Sequence, residues 1–255
     1  MSEAAAFAGR VALITGAQGA IGSALVQALR AQGATVVAAD AAAGVAPYRI
    51  APGLTDAVRL DVTRAADVRG LVDLIEERLG AVDLLVNVAG VVSFGSAEAL
   101  PADEWERVID INLKGTFLTC QAVIAGMKRK GFGRIVNIGS VVGKNAGNAR
   151  PWIDPLEQQR AGNIAYGVSK AGVHAMTGFL AKELASHGIT VNAVAPGPVA
   201  TAMTTHFPQA LRALLPVGRM GTTDDVARAV LFLAAADAGF ITGEVLDVNG
   251  GMWCD

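Results

Sequence analysis

Two side chains four residues apart, Tyr166 and Lys170 in the run Ala165-Tyr166-Gly167-Val168-Ser169-Lys170-Ala171, carry the clearest chemistry in this sequence. On a helix that spacing places both on one face. An ammonium beside a phenol favours the phenolate, so the spacing predicts a tyrosine pKa below its usual value of about 10. Lowering it by ~3 units takes roughly 4 kcal/mol of differential stabilisation. A tyrosine tuned in this way can exchange a proton with an alcohol oxygen near neutral pH. Alone, the pair equally describes an amphipathic tyrosine beside a solvated lysine, and the rest of the chain has to decide.

The N-terminal segment supplies a second constellation. Arg10-Val11-Ala12-Leu13-Ile14 reads as a short buried strand, followed by Thr15-Gly16-Ala17-Gln18-Gly19-Ala20-Ile21-Gly22 and an apolar-periodic helix ending near Gly33. Glycines at 16, 19 and 22 allow a tight turn, close backbone approach to a pyrophosphate and close helix-on-strand packing. The helix N-terminus then offers free N–H groups and the positive end of a dipole to phosphates. A second strand, Thr35 to Ala39, ends at Asp40, eighteen residues past Gly22, where a carboxylate would accept hydrogen bonds from an adenosine ribose. A 2′-phosphate would bring about two negative charges against that carboxylate. The next residue is Ala41, and Gln18 and Gly19 stand where an arginine or lysine could have met the phosphate. The sequence therefore predicts NAD rather than NADP.

Both constellations need a scaffold. Strands are expected near 10–15, 34–39, 57–60, 82–87, 133–139, 189–194 and 244–248, and helices near 20–32, 65–79, 103–129, 163–186 and 224–235. Strands alternating with helices predict a single-domain α/β fold, a Rossmann-type doubly wound parallel sheet of about seven strands with helices on both faces. Such sheets bind ligands beyond the carboxyl ends of their strands. Asp40, Asn87, Ser140 and Pro196-Gly197 all fall at those ends. There is no internal repeat, low-complexity tract or Gly/Ser linker, so residues 1–255 are expected to form one domain.

From about Arg10 to Met252 the chain resembles the single-domain branch of the short-chain dehydrogenases/reductases. The resemblance is carried by the glycine loop, Asp61-Val62, Asn87-Val88-Ala89-Gly90, Asn112 in Asp110 to Gly115, Ser140 after the strand at 133–139, and the Tyr166/Lys170 pair. Pro196-Gly197-Pro198-Val199-Ala200-Thr201 and the C-terminal run Gly243 to Gly251 complete it. It implies that Tyr166 is the general acid/base, that Ser140 holds the substrate oxygen, and that Lys170 binds the nicotinamide ribose while acidifying Tyr166. Asn112 would hold a water that extends the proton relay. Cofactor contacts implied are Gly16, Gln18, Gly19, Ile21 and Gly22 at the phosphates, with Asp40 at the ribose. Asp61 and Val62 would flank the adenine, and Asn87, Ala89 and Gly90 the adenosine half. Tyr166, Lys170, Pro196, Gly197, Val199 and Thr201 would lie toward the nicotinamide and pyrophosphate. Two positions depart from the family pattern: Ala20 stands where most relatives carry glycine, and Val88 replaces an asparagine.

Composition agrees with this placement. Apolar residues make up 52% of the chain and charged ones 17%, as expected for parallel strands covered on both faces and for surface hidden in subunit contacts. A net charge of −2 gives no electrostatic case for nucleic acid or membrane binding. Cys120 and Cys254 form no disulfide framework or metal spacing, and His174, His187 and His206 are scattered, so no metal is expected. No targeting segment is read at the start, and a cytoplasmic location is the expectation.

The substrate is less constrained. Residues 141–165 form a stretch about double the usual length for the family, with Arg150, Trp152 and Arg160, which reads either as a grip on an acidic substrate or as an oligomer contact. Residues 201–216, with Met203, Phe207, Leu211, Leu214 and Leu215, correspond to a partly apolar substrate lid in relatives. The favoured reading is an NAD-dependent dehydrogenase acting on a secondary alcohol: a hydroxy acid, polyol or sugar derivative. The alternatives are a 3-oxoacyl carrier-protein type ketoreductase, a group that mostly uses NADPH, and a non-catalytic nucleotide-binding or scaffolding protein. The resemblance further implies a homotetramer that pairs the helices near 103–129 and 163–186; Ala122, Val123, Ala125, Ala171, Ala175 and Phe179 would suit that close packing or equally face the chain's own core.

Overall fold

The computed structural model describes residues 5–42, 58–147, 156, 163–201, 204, 212–213 and 215–254. Seven parallel strands form one sheet: β1 (Val11–Thr15), β2 (Thr35–Asp40), β3 (Val58–Arg59), β4 (Leu84–Asn87), β5 (Gly133–Ile138), β6 (Ile189–Pro196) and β7 (Val245–Val248). Their spatial order is β3-β2-β1-β4-β5-β6-β7. The order reverses between β1 and β4, which opens a crevice at the carboxyl ends where a ligand can lie.

Each strand alternates between two apolar layers, as a period of two requires. Val11 and Leu13 of β1 enter one core, Ala12 and Ile14 the other. The first core is closed by α2 (Ala65–Leu79), α4 (Gly115–Lys130) and α6 (Ile164–Leu184), the second by α1 (Ala20–Ala31) and α7 (Thr223–Ala234). α7 starts on a capping box in which Thr222 and Asp225 bond each other's backbone amides.

The helix expected at 103–129 is interrupted. α3 (Ala102–Ile109) passes through a π-helical turn, Asp110–Lys114, before α4 begins. A short helix absent from the sequence reading, α5 (Val142–Asn145), follows β5. The combined stretch Ala102–Lys130 is long and apolar enough to cross a bilayer by length and composition. Here Cys120, Val123 and Met127 instead pack into the first core. Val123 is 1% exposed and faces this chain's own core, one of the two placements the sequence left open for it. Ala125, Ala171 and Ala175 are exposed, and Phe179 is 79% exposed.

At the opposite end of the sheet from the crevice, Asp83 is fully buried and joins three elements. Its carboxylate accepts the Val11 N–H at 2.9 Å and Arg10 Nη1 at 3.0 Å, and lies 2.6 Å from Lys130 Nζ. Removing it leaves a buried strand N–H and two cations without their acceptor. Asp83→Ala is expected to lower stability by about 2 kcal/mol in urea denaturation. Because the site lies at the other end, the affinity of the variant for nicotinamide nucleotides should be unchanged.

Candidate active site

The crevice is floored by glycine. Gly16 adopts a φ of +64°, and a Cβ there would meet the Ala89 backbone nitrogen at 2.6 Å. A Cβ at Gly22 would run into the Gly16 carbonyl oxygen. Only glycine fits at these two positions, and with Gly19 as N-cap the N-terminus of α1 has no side-chain cap. Thr15 secures the other wall: its hydroxyl accepts the Val88 and Ala89 N–H groups, both at 3.2 Å. Asp40 closes the far end of β2. One carboxylate oxygen accepts the Gln18 N–H and the other the Ala42 N–H, each at 2.9 Å. Each oxygen keeps a further lone pair for a ribose hydroxyl.

Beyond β5 lies the second half of the site. Ser140 is 6% exposed, and its Oγ accepts the Val142 N–H at 3.2 Å, with the half-buried Tyr166 side chain as its neighbour. Lys170, one helical turn from Tyr166 and 4% exposed, donates to the Ile138 carbonyl at 2.7 Å. Gly90 faces Lys170 and Asn112: a Cβ there would stand 3.5 Å from Lys170 Nζ and 3.3 Å from Asn112 Oδ1. Pro196 accepts the Val141 N–H, and Gly197 donates to Val248 while packed on Asn249. The glycine loop, Asp40, Gly90, Ser140, Tyr166, Lys170 and Pro196-Gly197 thus share the carboxyl ends of the sheet.

A family profile described as Enoyl-(Acyl carrier protein) reductase matches residues 16–253. The 3-oxoacyl-(acyl-carrier-protein) reductase FabG of Vibrio harveyi is 39% identical over 253 residues, covering 96% of this chain and 98% of the relative. The enzyme of that name from Escherichia coli (strain K12) is 38% identical over 255 residues, covering 97% and 98%. A crystal structure of gox2181 superposes with a TM-score of 0.85 at 36% identity, over 97% of each chain. The chain belongs to the short-chain dehydrogenase/reductase family.

Within that family frame, several side chains do something other than their sequence position implied. Asn87 is 3% exposed and does not reach the crevice: it donates to Asn137 Oδ1 at 2.9 Å and accepts from Thr119 Oγ1 at 2.7 Å. Asn137 in turn donates to Thr177 at 3.0 Å, so β4, β5, α4 and α6 share one buried polar network. Asn112 is wholly buried. Its amide accepts the Val91 N–H at 2.8 Å and donates to the Val91 carbonyl at 2.9 Å and to Ser169 Oγ at 3.0 Å. Those bonds clamp the loop after Gly90 to α6 and occupy both NH₂ hydrogens, so the amide cannot donate to a relay water. Val62 and Val199 are 8% and 7% exposed, which leaves their backbones, not their side chains, to meet a cofactor. Asp61 is turned onto Thr63, whose N–H and hydroxyl donate to it at 3.0 and 2.7 Å. Thr201 is held through Thr204 at the start of the expected lid. Arg150, Trp152 and Arg160, and Met203, Phe207, Leu211 and Leu214, lie outside the described residues.

The acidity expected of Tyr166 is also corrected. Burial pushes the phenol up, partly offset by the neighbouring Ser140 hydroxyl. The Lys170 ammonium donates to the Ile138 carbonyl and lies 5.8 Å from the Tyr166 ring centroid, so its hydrogen bond is spent on β5 and not on the phenol. Lys170 itself is held down at about 8 by burial. Sequence reading passed over Thr15, Asn137, Ser169 and His174. Helical spacing was the available signal for His174, which stands four residues past Lys170 as Lys170 stands four past Tyr166.

Lys170 yields a stability prediction with a definite sign. Its folded pKa of about 8 lies below the ordinary lysine value, so burying the charge costs stability in full below pH 8. As pH rises from about 8 toward 10.5 the folded protein carries the neutral amine while the unfolded chain stays charged, and that cost is relieved. Urea denaturation of the cofactor-free protein should therefore show stability rising across this window relative to Lys170→Met. A flat difference between the two proteins would contradict the burial.

Proposed function

We propose that this chain is a ketoreductase/secondary-alcohol dehydrogenase that uses NAD(H). The observation that carries the reading is Ser140, Tyr166 and Lys170 gathered at the carboxyl end of β5, beside a glycine crevice ending at Asp40. The crevice fits a dinucleotide: the Gly16–Gly22 loop would take the pyrophosphate, Asp40 the adenosine ribose, and Gly90 with Lys170 the nicotinamide ribose. When bound, the nicotinamide supplies or accepts the hydride.

The protein's part is orientation and proton transfer. Ser140 would hold the substrate oxygen through a hydroxyl already fixed by the Val142 amide. Tyr166 would deliver its proton to that oxygen as the ketone becomes an alcohol, leaving a phenolate that is reprotonated before the next turnover. Burial keeps the phenol protonated at neutral pH, which suits a proton donor and hence the reductive direction. Lys170, neutral above about pH 8, would bind the ribose and cross-brace α6 to β5. Asn112 would act through Val91 and Ser169, by positioning.

On the substrate side, the named relatives favour the 3-oxoacyl type of ketone over the hydroxy acids, polyols and sugar derivatives. On the cofactor side, Asp40 with Gln18 and Ala41 favours NAD(H). The exposed Phe179 on α6 supports a homotetramer as part of the same reading.

Steady-state reduction of a 3-oxoacyl thioester and a panel of simple ketones, with NADH and NADPH in parallel, tests this. NADH is expected to give a kcat/KM at least about tenfold higher than NADPH, since a 2′-phosphate would face a carboxylate. Preference for NADPH would overturn the cofactor assignment and leave the ketone assignment standing. Tyr166→Phe should lose about 10²- to 10⁴-fold in kcat while NADH affinity stays within a few-fold. Turnover that survives this change would exclude Tyr166 as the proton donor.

A further inference from the structure

The ladder on β5 fixes what its last backbone groups face. The Arg134 N–H bonds Asp83 on the β4 side, whereas the Gly139 and Val141 N–H groups bond Val194 and Pro196 on β6. Strand alternation therefore sends the Ile138 carbonyl and the Ser140 N–H toward β4. But β4 has already ended at Asn87, and its continuation bends to β1, where Thr15 holds Val88 and Ala89. Both groups have lost their strand partner, and buried backbone groups need one.

Helix α6 provides both. Lys170 Nζ donates to Ile138, and His174 Nε2 accepts the Ser140 N–H at 3.3 Å. The imidazole has a seat shaped for it. A Cβ at Gly139 would overlap Nε2, and a Cβ at Gly143 would come within 3.0 Å of the ring's Cε1. Glycines on both sides of Ser140 thus admit the ring against the backbone of the serine. As an acceptor, Nε2 must carry its lone pair, which fixes the neutral tautomer protonated on Nδ1. Tyr166, Lys170 and His174 form one line along α6 at successive turns, each touching the end of β5.

We infer that His174 is a positioning residue for catalysis, holding the Ser140 backbone so that its hydroxyl meets the substrate oxygen and Tyr166 together. The inference deepens the ketoreductase reading and rests on it for its kinetic consequence, though not for the bond itself. A shift of about 1 Å in a reacting group costs on the order of 10²-fold in rate. His174→Phe keeps a planar ring and removes the acceptor, and His174→Leu serves if the larger ring does not fit. His174→Gln restores an acceptor.

The test combines kinetics with amide hydrogen exchange. In the Phe or Leu variant, kcat should fall about 10- to 100-fold with NADH affinity unchanged, and Gln should recover part of the loss. Added to Ser140→Ala, the same substitution should cost almost nothing further, because its effect passes through the serine. The Ser140 amide should exchange at least about tenfold faster in the variant while β1 and β4 amides keep their protection. Unchanged exchange at Ser140, or losses that add in full to those of Ser140→Ala, would overturn the inference. If Ser140→Ala itself leaves turnover intact, the ketoreductase reading fails, and the exchange measurement alone decides the role of His174.

Discussion

The parting of two strands governs this site. While β4 and β5 run side by side their backbones satisfy each other, from Leu84 opposite Arg134 to Asn87 opposite Asn137. One residue later they diverge, and polar backbone groups that cannot be left unbonded in a protein interior are exposed to the crevice. Every element around the site answers that constraint. Thr15 takes the amides of the departing chain, Asn112 takes both backbone groups of Val91, and α6 sends a lysine and a histidine to β5. The reactive constellation is thus built partly from groups that first repair a broken ladder.

Beneath the crevice lies a buried polar layer. Asn87, Asn137, Thr119 and Thr177 bond one another in full burial, and Cys120 is packed among them with its thiol pushed up to about 12 by desolvation. A satisfied polar network of this kind fixes relative rotation in a way apolar contacts do not, because each bond has a direction. It locks α4 and α6 to the centre of the sheet directly below the position where the strands separate. The thiol, held protonated, is a packing group rather than a nucleophile.

Much of the architecture was legible in the sequence because buried strands and amphipathic helices differ in period. All seven strands and the five long helices lie where their patterns placed them, apart from the break inside 102–130, which no periodicity marks. Side-chain direction was harder to read. Asn87 sits at a strand end, which suggested the crevice, yet it shares the parity of Leu85 and so points into the α4/α6 layer. Counting by twos from Leu85 would have found this. Spacing put Tyr166 and Lys170 on one face correctly, but the ammonium's target, the Ile138 carbonyl, exists only because of strand divergence, a tertiary fact. The direction of the Val62 side chain was hidden for a similar reason: it fills the space left by Gly115 on α4, contact with which depends on the fold.

The π-helical turn at Asp110–Lys114 has its own consequence. An α-helix advances about 100° per residue, so one residue more or less in a turn rotates everything upstream by that amount. If the chain were shortened by one residue here, α3 and α4 would fuse into a single regular rod. The Asn112 amide would swing away from Val91 and Ser169, and the wall beside Gly90 would open. A helical irregularity that looks like slack is therefore the indexing step that sets the azimuth of Asn112, and the length of this span is fixed as firmly as the identity of that residue.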